Sequence, residues 1–189
     1  MKRSVIALVF QAALALAFAM PAFAQASAPL APSASTIDSN VTAALNSLYA
    51  HNQKARELGA KARAVLVFPD IRKGAFLIGA QFGFGALREN GRTVGYYRTA
   101  AASYGFQAGV KQFGYALFFM NDSALNYLNQ SDGWAIGTGP SLVVVDEGFA
   151  KSLTTTNLRS DVYAFVFNQQ GLMGGVGIEG SKITQIKPN

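Results

Sequence analysis

The hydrophobic and polar positions of this chain change rhythm as it is read from the N-terminus. Behind Lys2 and Arg3, no charged residue occurs from Ser4 to Met20. Pro21 ends that run, and Ala22-Phe23-Ala24 follows as a small-x-small cleavage pattern with Gln25 next. A basic n-region, an uncharged core and such a site predict a secretory signal over residues 1–24, cut between Ala24 and Gln25. The run falls just short of the ~20 residues that span hydrocarbon, and a helix breaker follows it instead of a basic flank. Residues 25–37 are rich in Ala, Pro and Ser at their start and predict a disordered leader. The domain proper is then expected over residues 38–189.

Order is predicted to begin with Asp38 or Ser39 as a helix cap. At 100° per residue, Val41, Ala44, Leu45, Leu48, Ala55, Gly59 and Ala62 share one face, with Lys54, Glu57 and Lys61 opposite. One amphipathic helix is therefore expected to run to about Gly59 or Ala60. The period then shortens. Ala64 to Phe68 is an apolar run predicted as a buried strand that Pro69-Asp70 stops in a turn. Gly74 to Leu87 and Thr93 to Arg98 flank Asn90-Gly91, the dipeptide of a tight hairpin. Further strands are predicted at Ser103–Lys111, Tyr115–Met120, Trp134–Gly139, Ser141–Val145, Val162–Asn168, Leu172–Glu179 and Lys182–Ile186. A short helix over Ala124–Asn129 is capped from Asn121-Asp122-Ser123, with Leu125 and Leu128 inward. Glycine recurs in or beside the strands, as at Gly79, Gly83, Gly85, Gly105 and Gly114. That recurrence predicts curvature and bulges rather than a phosphate loop, because Gly83-Phe84-Gly85-Ala86-Leu87-Arg88 lacks the third glycine of G-x-G-x-x-G and no G-x-x-x-x-G-K-[ST] occurs. The expected fold is a single α+β domain. Its strongly curved, mostly antiparallel sheet is barrel-like, with an N-terminal amphipathic helix and a short second helix.

Composition narrows the chemistry. The chain has no cysteine, which excludes thiol nucleophiles, thiolate metal sites and a cysteine-linked lipid anchor. Net charge is +6 for the whole sequence, and the basic residues are unevenly placed. From Lys54 to Lys111 ten basic residues face three acids, whereas from Gln112 to Asn189 four face six. Such a field favours an anionic partner for the first half. Nucleic acid is not the expected partner outside the cytoplasm. The mixture of rings and basic side chains suits a lipid surface instead.

Catalytic sets are hard to find. His51, the lone histidine, is expected as a packed boundary residue of the helix. Gly139-Pro140-Ser141 does not make a nucleophile elbow. Asp146 and Glu147 are adjacent and would point to opposite faces of a strand, leaving a hydrolase as the weakest of three readings. No enzyme activity, cofactor or metal is expected. Most aromatic residues, among them Phe113, Tyr115, Phe118, Phe119 and Trp134, are expected in the core.

Specific blocks resemble a known family. Ala64-Val65-Leu66-Val67-Phe68-Pro69-Asp70-Ile71-Arg72-Lys73-Gly74-Ala75-Phe76, continuing through Gly79 to Gly83-Phe84-Gly85, resembles the opening of the SYLF domain. Asn121 to Leu125, Val162 to Phe165 and Gly171 to Ser181 resemble its central segment and C-terminal hairpin. The resemblance covers about Ser39 to Ile186. Ala75 stands where the family usually has a second glycine, and many relatives continue beyond Lys187-Pro188-Asn189 into a tail containing asparagine and tyrosine. The resemblance implies binding of membrane lipids through the N-terminal helix and basic residues. Actin-related roles of fungal relatives do not transfer to an exported chain.

Together these readings predict a non-enzymatic protein of the periplasm or a secreted one. It would bind anionic phospholipid at a membrane surface through Lys61, Arg63, Arg72, Lys73, Arg88 and Arg92. The alternative is a structural or protein-interaction module of the envelope, with an envelope protein as partner, that uses the exposed edge of its sheet and shows no lipid specificity.

Overall fold

The computed structural model describes residues 29–76, 78–104, 109–130, 133–145, 159–171, 178 and 180–189. Met1–Leu30 and Ala31–Asn189 are separate compact units, and only Pro29 and Leu30 of the first are described. The signal segment with its Ala24–Gln25 cleavage site, most of the strand expected at Leu172–Glu179, and Asp146 and Glu147 lie outside the described residues.

Helix α1 spans Ala34–His51 and is capped by Ser33, whose side chain accepts from the Thr36 N–H. Order therefore begins ahead of the expected Asp38 or Ser39 cap, and Ile37 joins Val41, Ala44 and Leu48 on the buried face. The single helix expected as far as Gly59 is two helices. Asn52 leaves helical geometry with φ −134° and ψ 100°. Its N–H donates to the Leu48 carbonyl, and its side-chain oxygen accepts from the Ala55 N–H at 2.9 Å. One residue thus closes α1 and opens α2, Gln53–Gly59.

Among the described residues eight strands follow: β1 Ala64–Phe76, β2 Ile78–Glu89, β3 Arg92–Tyr104, β4 Gly109–Phe119, β5 Trp134–Ala135, β6 Leu142–Val145, β7 Val162–Gly171 and β8 Lys182–Ile186. Helix α3, Asp122–Leu128, sits between β4 and β5 with Asn121 as its cap. The strands form one sheet in the order β5-β8-β3-β2-β1-β4-β7-β6, curled into a half-barrel. All neighbours are antiparallel except β6 and β7, which run parallel, so the sheet is mixed.

Pro69 does not end the first strand. β1 is central, paired with β2 on one side and β4 on the other, and its register slips against both partners at this point. A bulge absorbs the residue that cannot donate a ladder hydrogen bond. Gly85 faces that bulge, where an added Cβ would overlap the Val67 carbonyl and come within 2.8 Å of the Phe68 ring. The hairpin between β2 and β3 turns on Asn90 and Gly91, with φ 50° and 78°, the left-handed pair of a type I′ turn.

Two apolar clusters sandwich the sheet. Leu66, Phe68, Tyr115, Leu117, Phe119 and Trp134 fill the inside of the curl with α3. Val65, Val67, Ala86, Phe118, Tyr163 and Phe165 face outward beneath α1 and α2. All five residues of the run Ala64–Phe68 are therefore buried although they alternate between faces. This double cladding explains why the run lacks a polar stripe.

Candidate functional site

The break at Asn52 turns α2 away from the line of α1 and opens a cleft of about 560 Å³ among the two helices, the start of β1 and the β2–β3 hairpin. Arg56 from α2, Arg63 at the entry to β1 and Arg88 near the end of β2 all line it. Leu45, Ala62 and Val65 supply apolar lining, and Tyr49 adds a hydroxyl.

Each guanidinium is held by a different device. Arg56 donates from Nε at 3.1 Å, and also from Nη2, to the carbonyl oxygen of Tyr49 in the last turn of α1. A cation there complements the negative end of the helix dipole. Arg63 pairs through Nε with Asp122 at 3.4 Å, both side chains being largely exposed. Arg88 is more enclosed. Its Nη2 donates to the Asp38 carbonyl at 3.1 Å and to Thr42 Oγ1 at 2.9 Å, with the Asp38 carboxylate 3.6 Å away. Burial pushes the Tyr49 hydroxyl above the ordinary tyrosine range, so near neutral pH it stays protonated and able to donate. Three guanidinium groups and a phenol around a partly apolar hollow suit an anionic group with a hydrophobic neighbour.

The residues expected at a lipid site divide between this cleft and two other environments. Arg63 and Arg88 line the cleft. Lys61 lies between the lining residues Ala60 and Ala62, and Arg92 follows the lining Asn90-Gly91 turn. Arg72 and Lys73 sit well along β1, roughly 30 Å from Arg63 at the usual strand rise, and as neighbours they face opposite ways. Arg72 is exposed beside Asp70 at 3.3 Å. Lys73 shares the inward parity of Ile71 and stands in register with Lys111, which is 5% exposed.

Arg56 and Tyr49 are the cleft residues that the sequence reading did not assign. A continuous helix would put them on one face but two turns apart, about 10 Å along the axis, and the interruption at Asn52 brings the Arg56 side chain back to the Tyr49 carbonyl. A second cleft of about 540 Å³ lies between the C-terminal part of α1 and β6–β7, lined by His51, Val144 and Phe167 among others. Among the described residues its lining has no lysine or arginine. His51 is exposed rather than packed at a boundary, with Nδ1 2.8 Å from the Ser47 carbonyl.

Comparison with known proteins adds one positive result. The family model Ysc84, described as Las17-binding protein actin regulator, matches residues 100–188. No curated protein matches the chain. The match runs from the middle of β3 through β8 and includes the later blocks that resemble SYLF sequences. This match, over a little under half of the chain, is consistent with a SYLF (Ysc84) domain family protein.

Proposed function

We propose that this chain is an exported, non-enzymatic protein of the cell envelope that binds anionic phospholipid at a membrane surface, with the Arg56–Arg63–Arg88 cleft receiving the head group. The observation that carries the reading is the convergence of three guanidinium groups from three separate segments on one partly apolar hollow. Lys61 and Arg92 at its margin extend the basic surface. A basic residue close to an anionic membrane contributes about 1 kcal/mol, so such a group holds a protein reversibly and in a salt-dependent manner. Export rests on the uncharged run and the Ala22-Phe23-Ala24 pattern. For that reason the actin role in the family description is not extended to this chain.

The test is co-sedimentation of the chain from Gln25 with neutral and anionic vesicles across a salt series. Binding should require anionic lipid and fade as salt rises. Arg56→Glu combined with Arg63→Glu should weaken it at least tenfold. Binding that ignores both lipid charge and this double substitution would refute the proposal.

A further inference from the structure

The helices cover only one end of the outward face of the sheet. Beyond Phe84 and Phe167, which half-pack against the helix layer, the same face continues with exposed residues. Register places them in rows. Arg72 stands opposite Phe82, Phe82 opposite Ala100, and Ala100 opposite Lys182. One rung away, Asp70, Phe84 and Arg98 form the parallel row. Arg72, Arg98 and Lys182 are exposed, while Phe82 is half-buried. The floor is low: Ala80, Ala100 and Ala102 are exposed on it, and among the described residues nothing lies within 4 Å of the point where a Cβ on Gly74 would sit. Among the described residues of these rows the one acid is Asp70, already engaged by Arg72 at 3.3 Å.

We propose that this uncovered shelf of the outer sheet face docks an acidic amphipathic helix of a partner protein, a function separate from the lipid cleft and independent of it. The fit is one of charge, apolar surface and depth. The shelf is recessed beside α1 and α2, whose layer stands about 10 Å high at the diameter of a helix. A flat bilayer would be held off by that step, whereas one more helix fills it. The apolar stripe of such a helix would rest on Phe82 and the alanines, and its carboxylates would meet the three cations. Arg72 and Lys182 are three strand spacings apart, about 14 Å, the rise of about ten helical residues. A partner helix crossing the strands therefore presents carboxylates about three turns apart. A second copy of this chain is a poor occupant, because it would bring the same positive shelf.

The test is fluorescence anisotropy of the full chain with a labelled 18-residue Glu/Leu peptide patterned as an amphipathic helix, and with its Lys/Leu counterpart. The chain should bind the acidic peptide and not the basic one. Arg98→Glu with Lys182→Glu should weaken binding at least tenfold, and the charge-matched pair Lys54→Glu with Lys187→Glu less than twofold. If circular dichroism shows the first double variant unfolded, Arg98→Gln with Lys182→Gln should still weaken binding at least threefold. Absence of binding, or equal losses in the two charge-matched pairs, would overturn the proposal. So would a shelf variant that loses binding to phosphatidylglycerol vesicles but keeps the peptide, since the face would then be a bilayer contact.

Discussion

Arg88 donates to the backbone carbonyl of Asp38 at 3.1 Å, joining residues 50 positions apart in the chain. The Asp38 carboxylate in turn accepts from Thr93 Oγ1 at 2.6 Å and from the Tyr96 hydroxyl at 2.9 Å. The first turns of α1 are thereby fastened to β2 and β3 by polar bonds as well as by Ile37 and Val41. With its side chain only 16% exposed, Arg88 is as much a fastener as a lining group of the cleft. Arg88→Ala should cost about 2 kcal/mol, since the charge-assisted bonds that tie the start of α1 to β2 are lost. Urea denaturation followed by circular dichroism measures this. A midpoint equal to that of the wild type would show that the apolar contacts alone hold the helix.

Asp161 gathers three donors, the Ser141 hydroxyl at 2.7 Å, the Asn121 amide at 2.7 Å and the Ser141 N–H at 2.9 Å. The Ser141 hydroxyl, then the Asn121 amide and the Ser141 N–H, hold its carboxyl below the ordinary aspartate range. A carboxyl depressed in the folded state stabilises the fold above its unfolded value of about 4, and that contribution disappears as pH falls through the folded value. Asp161→Asn should therefore lower the melting temperature at pH 7 and flatten its decline below about pH 4. Parallel acid profiles for the two proteins would remove Asp161 from the account.

Tyr115 is fully buried and donates to Thr99 Oγ1 at 2.9 Å. Burial pushes its pKa far above the ordinary tyrosine range, outweighing the opposite pull of the Thr99 hydroxyl. A raised tyrosine stabilises the fold fully below its unfolded value of about 10, and the contribution is lost as pH climbs above that point. Absorbance titration at alkaline pH should show Tyr115 ionising only together with unfolding. Tyr115→Phe should remove that coupling and cost about 1 kcal/mol at neutral pH, because Thr99 is left buried without this partner.

Gly85→Ala tests the bulge. The new methyl group would strike the Val67 carbonyl in the central strand, which cannot move without disturbing pairing on both sides. A loss of about 2–3 kcal/mol is expected from such overpacking, readable as a fall in thermal midpoint. Gly74→Ala, placed where nothing lies within 4 Å, should cost far less.

Local chemistry made parts of this fold legible. Asn90-Gly91 specified its hairpin through left-handed geometry, Asn121 marked the start of α3, and the alternation Lys182–Ile186 coincides with β8. The features that escaped depend on distant partners. Pro69 reads as a stop until two neighbouring strands accommodate a bulge around it. Asn52 reads as one more helical position until its side chain caps the next helix. The parallel pairing of β6 with β7 has no local signature, since β6 is four apolar residues that would fit either direction. The same limit applies to function. Basic residues were visible as a group, but parity on β1 sends Arg72 outward and Lys73 inward, and the turn at Asn52 adds Arg56.

The uneven cladding of the sheet also has a mechanical meaning. At one end the strands are gripped between two packed layers, while among the described residues the shelf end has no helix over its outer surface. The sheet resembles a beam clamped at one end: bending concentrates in the free part, where amides around Arg72 and Phe82 can reach water from above without disturbing the clamp. A ligand seated on that end would add a second layer where the described helices supply none.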